Sequence, residues 1–422
     1  MPDYPINDLE EQLRQDRRLG KARRRKRRFR KLLPFLILLI VALGTFLTLH
    51  FTGSKEETEA TETLAPGSSL VTLNFVGDIS LDDPMLSSFQ TGSDYDFTPL
   101  LKRIIPRLTA ADLTVGNLEG TVVRSGNASD HNYPPALLRD LYAAGFDILQ
   151  TSNSYTIQNG ITGLVETKEA IRSTGMDALG TWVSEEDRRD GGILIREVNG
   201  MRIAFLAFTK GMNNLRLPAG TDYCVNLLYT DYDTNYSKIA KSAIISVVEE
   251  ARLYQPDLMI AMVHWGSEYD KEIADSQKEI AKLLFANGVD LIVGSHSHYV
   301  GPMELMSRRI GSGGSFIAYS LGDFISTADT TTARSGCVLS VTVLKDEDGT
   351  RITDLHYSPT YSAAPDEKLE TRDYEILDTL DAINFYKNGY YDKVSDALYE
   401  RLVSSVEKMK EATAQPELMS NK

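Results

Sequence analysis

The chain reads as an α/β protein with a central sheet, held by one hydrophobic span near its N-terminus. Two observations predict this. Strand-like apolar runs alternate with helix-spaced stretches from residue 70 onward, and an uncharged 20-residue segment precedes them.

Residues 1–31 carry 12 Lys/Arg against 5 Asp/Glu, whereas the remainder has a net charge of −21. Next comes Leu32 to Phe51, "LLPFLILLIVALGTFLTLHF", long enough to cross a bilayer as a helix. Basic residues before it and "KEETE" after it put residues 1–31 in the cytoplasm as a basic tail and the rest outside the plasma membrane. A cleaved signal peptide would have a shorter apolar region ending at a small-residue site, and no such site is evident, so an uncleaved single-pass anchor is expected. The basic arm then contacts anionic lipid, and no nucleic-acid partner is expected. Nothing in residues 1–31 resembles a signalling domain. Residues 52–69, "TGSKEETEATETLAPGSS", have no core-forming residues and read as a polar linker.

From Leu70 the apolar runs are "LVTLNFVGD", "ADLTVGN", "FDILQTSN", "MRIAFLAFTKG", "DLMIAMVHWG", "VDLIVGSHSH" and "FIAYSLGDF". Between several of them lie "PPALLRDLYAAG", "GLVETKEAIRSTG" and "SQKEIAKLLFANG", each with helical spacing and a terminal glycine. "SVTVLKDEDGTRITDLHYSP" suggests an antiparallel hairpin around Asp-Gly. One domain is expected over 70–365, then a C-terminal extension, 366–422, helical over 371–412 and disordered over its last ten residues. The two cysteines, Cys224 and Cys337, make neither a disulfide framework nor a metal cluster.

In open α/β sheets, ligands gather at the carboxyl ends of the strands. The residues there are Asp78, Asn117, Glu119, Asn153 to Tyr155, His264, His296, His298 and Asp323. Carboxylate oxygen and neutral imidazole suit divalent Zn, Mn or Fe, and one or two such ions are expected. Each residue alone has a plainer reading: Asp78 as a turn former, Asn117 or Glu119 as a helix cap, His264 as a hydrogen-bonded structural histidine. Their joint occurrence at successive strand ends favours a site. His50, His131 and His356 have no comparable context and read as ordinary.

"NFVGDISL", "VGNLEG", "AAGFDILQTSNSYTIQNGITGLVET", "VHWGSEY", "VDLIVGSHSHYVGPME" and "IAYSLGDFIS" resemble, in order, the blocks of CapA-type poly-γ-glutamate capsule-synthesis proteins. That family is similar to calcineurin-like metallophosphoesterases. The resemblance covers roughly residues 70–330. It implies a four-layer αββα sandwich, an anchored extracellular domain and a role in making or exporting an anionic surface polymer, with polymer-synthase membrane subunits as partners. It also implies a metal site at Asp78, Glu119 (or Asn117), Ser154, His264, His296 and His298. Where the family usually reads Asn-Asn-His, this chain has Asn153-Ser154-Tyr155, so a hydroxyl and a phenol stand in the places of a metal-bridging amide and a general acid. Gln158 replaces the usual Asp of that block. Asp323 replaces an Asn, either returning a carboxylate to the site or marking a solvated turn. Tyr155 and Asp323 are therefore the candidate catalytic residues, and whether the chain is an enzyme is left open.

Overall fold

The computed structural model describes residues 65, 67–123, 128–190, 192–306, 314–367 and 373–420. Among these no helix is long and apolar enough to cross a membrane. The basic tail, the expected span 32–51 and most of the expected linker lie outside the described residues.

The strands of the two main sheets are, in chain order, β1 (Ser69–Ile79), β2 (Leu113–Leu118), β3 (Ile148–Gln150), β4 (Asp177–Leu179), β5 (Leu194–Val198), β6 (Met201–Thr209) and β7 (Leu258–His264). There follow β8 (Leu291–Ser295), β9 (Met303–Leu305), β10 (Phe316–Ala318), β11 (Asp323–Ile325), β12 (Ser335–Asp346), β13 (Gly349–Ala363) and β14 (Glu375–Asp378). One sheet has the order β14-β13-β12-β1-β2-β3-β4, with β11 beside the end of β1. The other has the order β9-β10-β8-β7-β6-β5. Strands β1 to β4 are mutually parallel, as are β6, β7, β8 and β10. The hairpin β12–β13 turns at Glu347-Asp348, with Gly349 opening β13, around the expected Asp-Gly.

The central strands are apolar throughout because both of their faces are covered. Ile203, Phe205 and Ala207 of β6, with Ile260 and Met262 of β7, join Val71, Leu73 and Phe75 of β1 in one core between the sheets. The alternate residues Ala204, Leu206, Phe208, Ala261 and Val263 face outward, packing on α3 (Lys241–Leu253) and α4 (Asp275–Ala286). Val76 and Ile79 of β1 likewise face α1 (Pro135–Ala143) and α2 (Gly160–Thr174). The layers are thus helix, sheet, sheet, helix. Burial of each large apolar side chain in these cores contributes about 1.5–3 kcal/mol.

The C-terminal region differs from expectation. Glu375–Asp378 is a strand, not part of a helix, and pairs with β13 so that the extension completes the first sheet. A four-residue run is too short to stand out from the helical pattern after it. Helices α5 (Thr379–Lys387) and α6 (Asp396–Thr413) follow and pack Leu398, Leu402 and Val406 against Tyr361 and Leu377. The end expected to be disordered returns to β13, where Ser420 N–H donates to the Tyr357 carbonyl at 3.0 Å and Met419 joins the core margin. Its polar composition hides two or three anchoring contacts. Both cysteines are buried and free.

Candidate metal centre

The strand register carries most of the candidate residues to one rim. In the first sheet Asp78 lies opposite Asn117 of β2 and Asp323 of β11, and Glu119 follows β2 directly. In the second sheet Thr209, His264 and Ser295 are aligned across β6, β7 and β8, and His296 and His298 leave the end of β8. Two glycines make the close approach possible. A Cβ at Gly77 would sit 1.7 Å from the Gly322 carbonyl oxygen, and one at Gly294 would sit 2.0 Å from the Tyr319 carbonyl oxygen. The two Gly-Asp pairs, 77–78 and 322–323, therefore pack backbone to backbone, with Asp78 N–H donating to the Gly322 carbonyl at 3.0 Å.

Six side chains form two groups of three: Glu119, His264 and His296 in one, and Asp78, His298 and Asp323 in the other. Within each group the ligand-type atoms all lie within 4.8 Å of one another. His264 Nε2 is 3.0 Å from Glu119 Oε1, and His298 Nδ1 is 2.8 Å from Asp323 Oδ1. His296 N–H donates to Asp78 Oδ2 at 3.0 Å, tying one group to the other. The His264 and His296 ring centroids are 4.4 Å apart, and those of His296 and His298 are 6.4 Å apart. His296 adopts φ 95° and His298 φ 58°, conformations that cost free energy in non-glycine residues and cluster at functional sites.

All six side chains are buried. Burial raises the Asp78 carboxyl well above the usual range, and repulsion from Glu119 and Asp323 adds to it. Burial likewise raises Asp323, against the hydrogen bond from His298. Burial opposes ionisation of Glu119 too, but the His264 imidazole overcomes it, and Glu119 is held well below the carboxylate range. His296 is lowered by burial and by His264. For His298, the penalty of burial is outweighed by the hydrogen bond and charge of Asp323, which push it up to about 10.

The donor set fits a divalent transition ion. Three carboxylates and three imidazoles share a space nearly closed to water, where such groups must be paired or coordinate a metal. His296 Nδ1 is buried without a hydrogen-bond partner. Because His298 holds its proton up to about pH 10, and a ligating imidazole must give it up, metal uptake at pH 7 is expected to release at least one proton per chain. The apparent affinity should then rise about tenfold per pH unit for each proton displaced. Calorimetric titration in two buffers of different ionisation enthalpy measures this; uptake without proton release contradicts it.

The other expected residues take different places. Asn117 bridges the groups: its Nδ2 donates to Asp78 Oδ1 at 2.7 Å and to Glu119 Oε2 at 3.1 Å, and its Oδ1 accepts from Asn153 Nδ2 at 3.0 Å. Its amide nitrogen orients the two carboxylates, and its amide oxygen is held by Asn153. Asp323, expected as a catalytic residue or a turn, stands among the candidate donors. Ser154 is buried and lines a cleft beside His296. Tyr155 is partly buried; burial, aided by Glu119, pushes its phenol far above its ordinary value.

Asn153, placed at the rim by the sequence but given no role there, holds Asn117. Two further residues were missed altogether. Lys210 follows β6, and its Nζ lies 3.3 Å from His296 Nε2; a lysine at a strand end reads as a solvated end. His131, taken as ordinary, stacks on Tyr155 with ring centroids 3.7 Å apart, its Nδ1 lying 2.9 Å from the Glu119 carbonyl oxygen. It follows no apolar run, so strand-end logic had no means of finding it.

Fold and donor set together define a two-sheet α/β protein with a candidate metal centre where the sheet rims meet. The bacterial capsule synthesis protein family, PGA_cap, matches residues 72–328, and the chain belongs to that family. It is 26% identical over 306 residues to the PGA biosynthesis protein CapA of Bacillus subtilis (strain 168), a match spanning 70% of this chain and 73% of that protein. It is also 26% identical over 310 residues to the capsule biosynthesis protein CapA of Bacillus anthracis, spanning 70% of each. Among solved structures, the calcineurin-like phosphoesterase YfkN from Bacillus subtilis superimposes with a TM-score of 0.41 at 11% identity, covering 82% of this chain and 97% of that one.

Proposed function

We propose that this chain is a membrane-anchored accessory of anionic envelope-polymer synthesis, of the poly-γ-glutamate type, acting on the outer side of the plasma membrane through a metal centre. The observation that carries the reading is that all six converging donors, from Asp78 to Asp323, fall inside the family-matched segment 72–328. The two CapA relatives supply the polymer class. Support for the anchor is the uncharged segment Leu32 to Phe51 behind a basic arm.

Glu119, His264 and His296 would hold one ion, and Asp78, His298 and Asp323 a second, with Mn, Fe or Zn suiting these ligands. Bound there, such ions supply positive charge that attracts oxyanions and polarises phosphoryl or carbonyl oxygens. The residues around them bind better than they move protons. Asn117 and Asn153 orient the carboxylates, whereas Tyr155, in the place a general acid would take, keeps its proton throughout the neutral range. The net charge of −21 on the rest of the chain repels a polyanion at long range, so contact with polymer is local, at this cleft. Polymer-synthase membrane subunits are the partners the anchor would bring within reach.

A second reading, an active metal-dependent phosphoesterase, is favoured by one observation: the His131 ring lies against Tyr155 and beside Glu119.

Deletion of the gene from its host tests the proposal, with glutamate released by hydrolysis of surface polymer as the readout. Polymer is expected to fall and to be restored by the full chain but not by one lacking residues 1–64. An unchanged yield on deletion contradicts the reading.

A further inference from the structure

Beside the donor cluster lies a cleft of about 240 Å³ lined by Ser154, Lys210, Asn213, Asn214, Tyr236 and His296, among others. Among the described residues that line it, Lys210 is the one lysine or arginine. The backbone fixes where this lysine stands: it follows the last residue of β6, and its N–H donates to the His264 carbonyl at 2.8 Å. Its ammonium donates to the Gly266 carbonyl at 2.7 Å, lies 3.3 Å from His296 Nε2 and sits 4.7 Å from the centre of the Tyr236 ring. None of these partners is a carboxylate. Glu268, the acidic residue of the cleft, is exposed; its charge acts on Lys210 across the cleft, but no direct ion pair joins the two among the described residues. An ammonium has three hydrogens. One is taken by Gly266 and one faces His296, and the third is shared between the face of the Tyr236 ring and the cleft.

The rest of the wall is rich in donors. Asn213 and Asn214 both adopt left-handed backbone, φ 49° and 59°, a turn that brings two amides to the cleft. Tyr236 donates its hydroxyl to Asn214 Oδ1 at 3.0 Å, which occupies the acceptor of that amide and leaves its NH₂ group as donor. Ser154 and Ser267 add hydroxyls. A half-buried cation whose direct partners are all neutral, among amide and hydroxyl donors, suits an oxyanion.

We propose that Lys210 is a substrate-binding residue whose ammonium holds an oxyanion, a carboxylate or a phosphoryl group, in this cleft against the His296 side of the donor cluster. The inference deepens the proposed function and rests on it: a repeating anionic polymer, or a phosphorylated precursor, would present such a group to the site.

The experiment uses the full-length chain, loaded with Mn²⁺ and checked by metal analysis. Two probes, inorganic phosphate and a γ-linked glutamate oligomer, are titrated calorimetrically into the wild type, K210Q and K210R. The probe that the wild type prefers assigns the group as phosphoryl or carboxylate. K210Q is expected to retain wild-type metal content and to bind that probe about ten- to hundredfold more weakly, the loss of one charge-assisted hydrogen bond. K210R should recover most of the affinity. Metal-loaded K210Q binding both probes as tightly as the wild type overturns the inference, as does a metal-loaded wild type that binds neither. Equal loss of metal from K210Q and K210R also overturns it, showing a lysine that only supports His296. A wild type that takes up no metal contradicts the metal-centre reading instead, and phosphate affinity of the metal-free wild type against K210Q then decides the role of Lys210 by itself.

Discussion

His298→Ala is expected to destabilise the metal-free chain by about 3–5 kcal/mol, the cost of removing one partner from a buried ion pair. The imidazole sits 2.8 Å from Asp323 and also offsets the charges of Asp78 and Glu119. Without it, Asp78 and Asp323, opposite one another in the β1–β11 register, are left as buried carboxylates with no cation between them. The sign with pH follows from the direction of each shift. His298 is raised to about 10, so its stabilising contribution is complete below its unfolded value of roughly 6.5 and fades as pH rises through about 10. Urea midpoints of chelator-treated wild type and variant at pH 7.5 measure the deficit. A deficit smaller than about 1 kcal/mol contradicts this role for His298.

The double change Ser154→Asn with Tyr155→His is expected to raise phosphodiester hydrolysis at least about 100-fold, the lower end of what a positioned general acid contributes. It restores the Asn-Asn-His sequence that the resemblance leads one to expect after β3. Tyr155 is partly buried and stacked on His131. What it lacks is a proton it can release, since burial lifts its phenol far above neutral pH. An imidazole there has an unperturbed pKa of about 6.5. Turnover of bis(4-nitrophenyl) phosphate by metal-loaded wild type and double variant is the measurement, with a bell-shaped pH profile as the signature of the new acid. Wild type already turning over at the variant's rate would favour the phosphoesterase reading, with His131 as the group to examine.

Much of the site was legible because strand ends in an α/β sheet are where chemistry collects, and because Asp78, His264 and His296 stand at the ends of apolar runs, with His298 two residues further on. The alternation of β6 and β7 between two cores shows why those runs read as continuous: both faces are buried, so period two vanishes from composition while persisting in packing. What stayed hidden depends on contacts between distant segments. Asn117 is held as a bridge by Asn153, 36 residues later, which donates to its amide oxygen. Asp323 becomes a candidate donor only because Gly77 admits the Gly322 carbonyl beside Asp78. Lys210 and His131 carry no periodic signal, and the strand Glu375–Asp378 and the returning end at Ser420 are too short for one.

The central claim is that the rims of the two sheets assemble a metal centre. Elemental analysis of the full-length chain, purified under metal-replete conditions, tests it most directly. The account predicts one or two Mn, Fe or Zn ions per chain in the wild type and a reduced content in His296→Ala. A folded wild-type chain with no bound transition metal would contradict it.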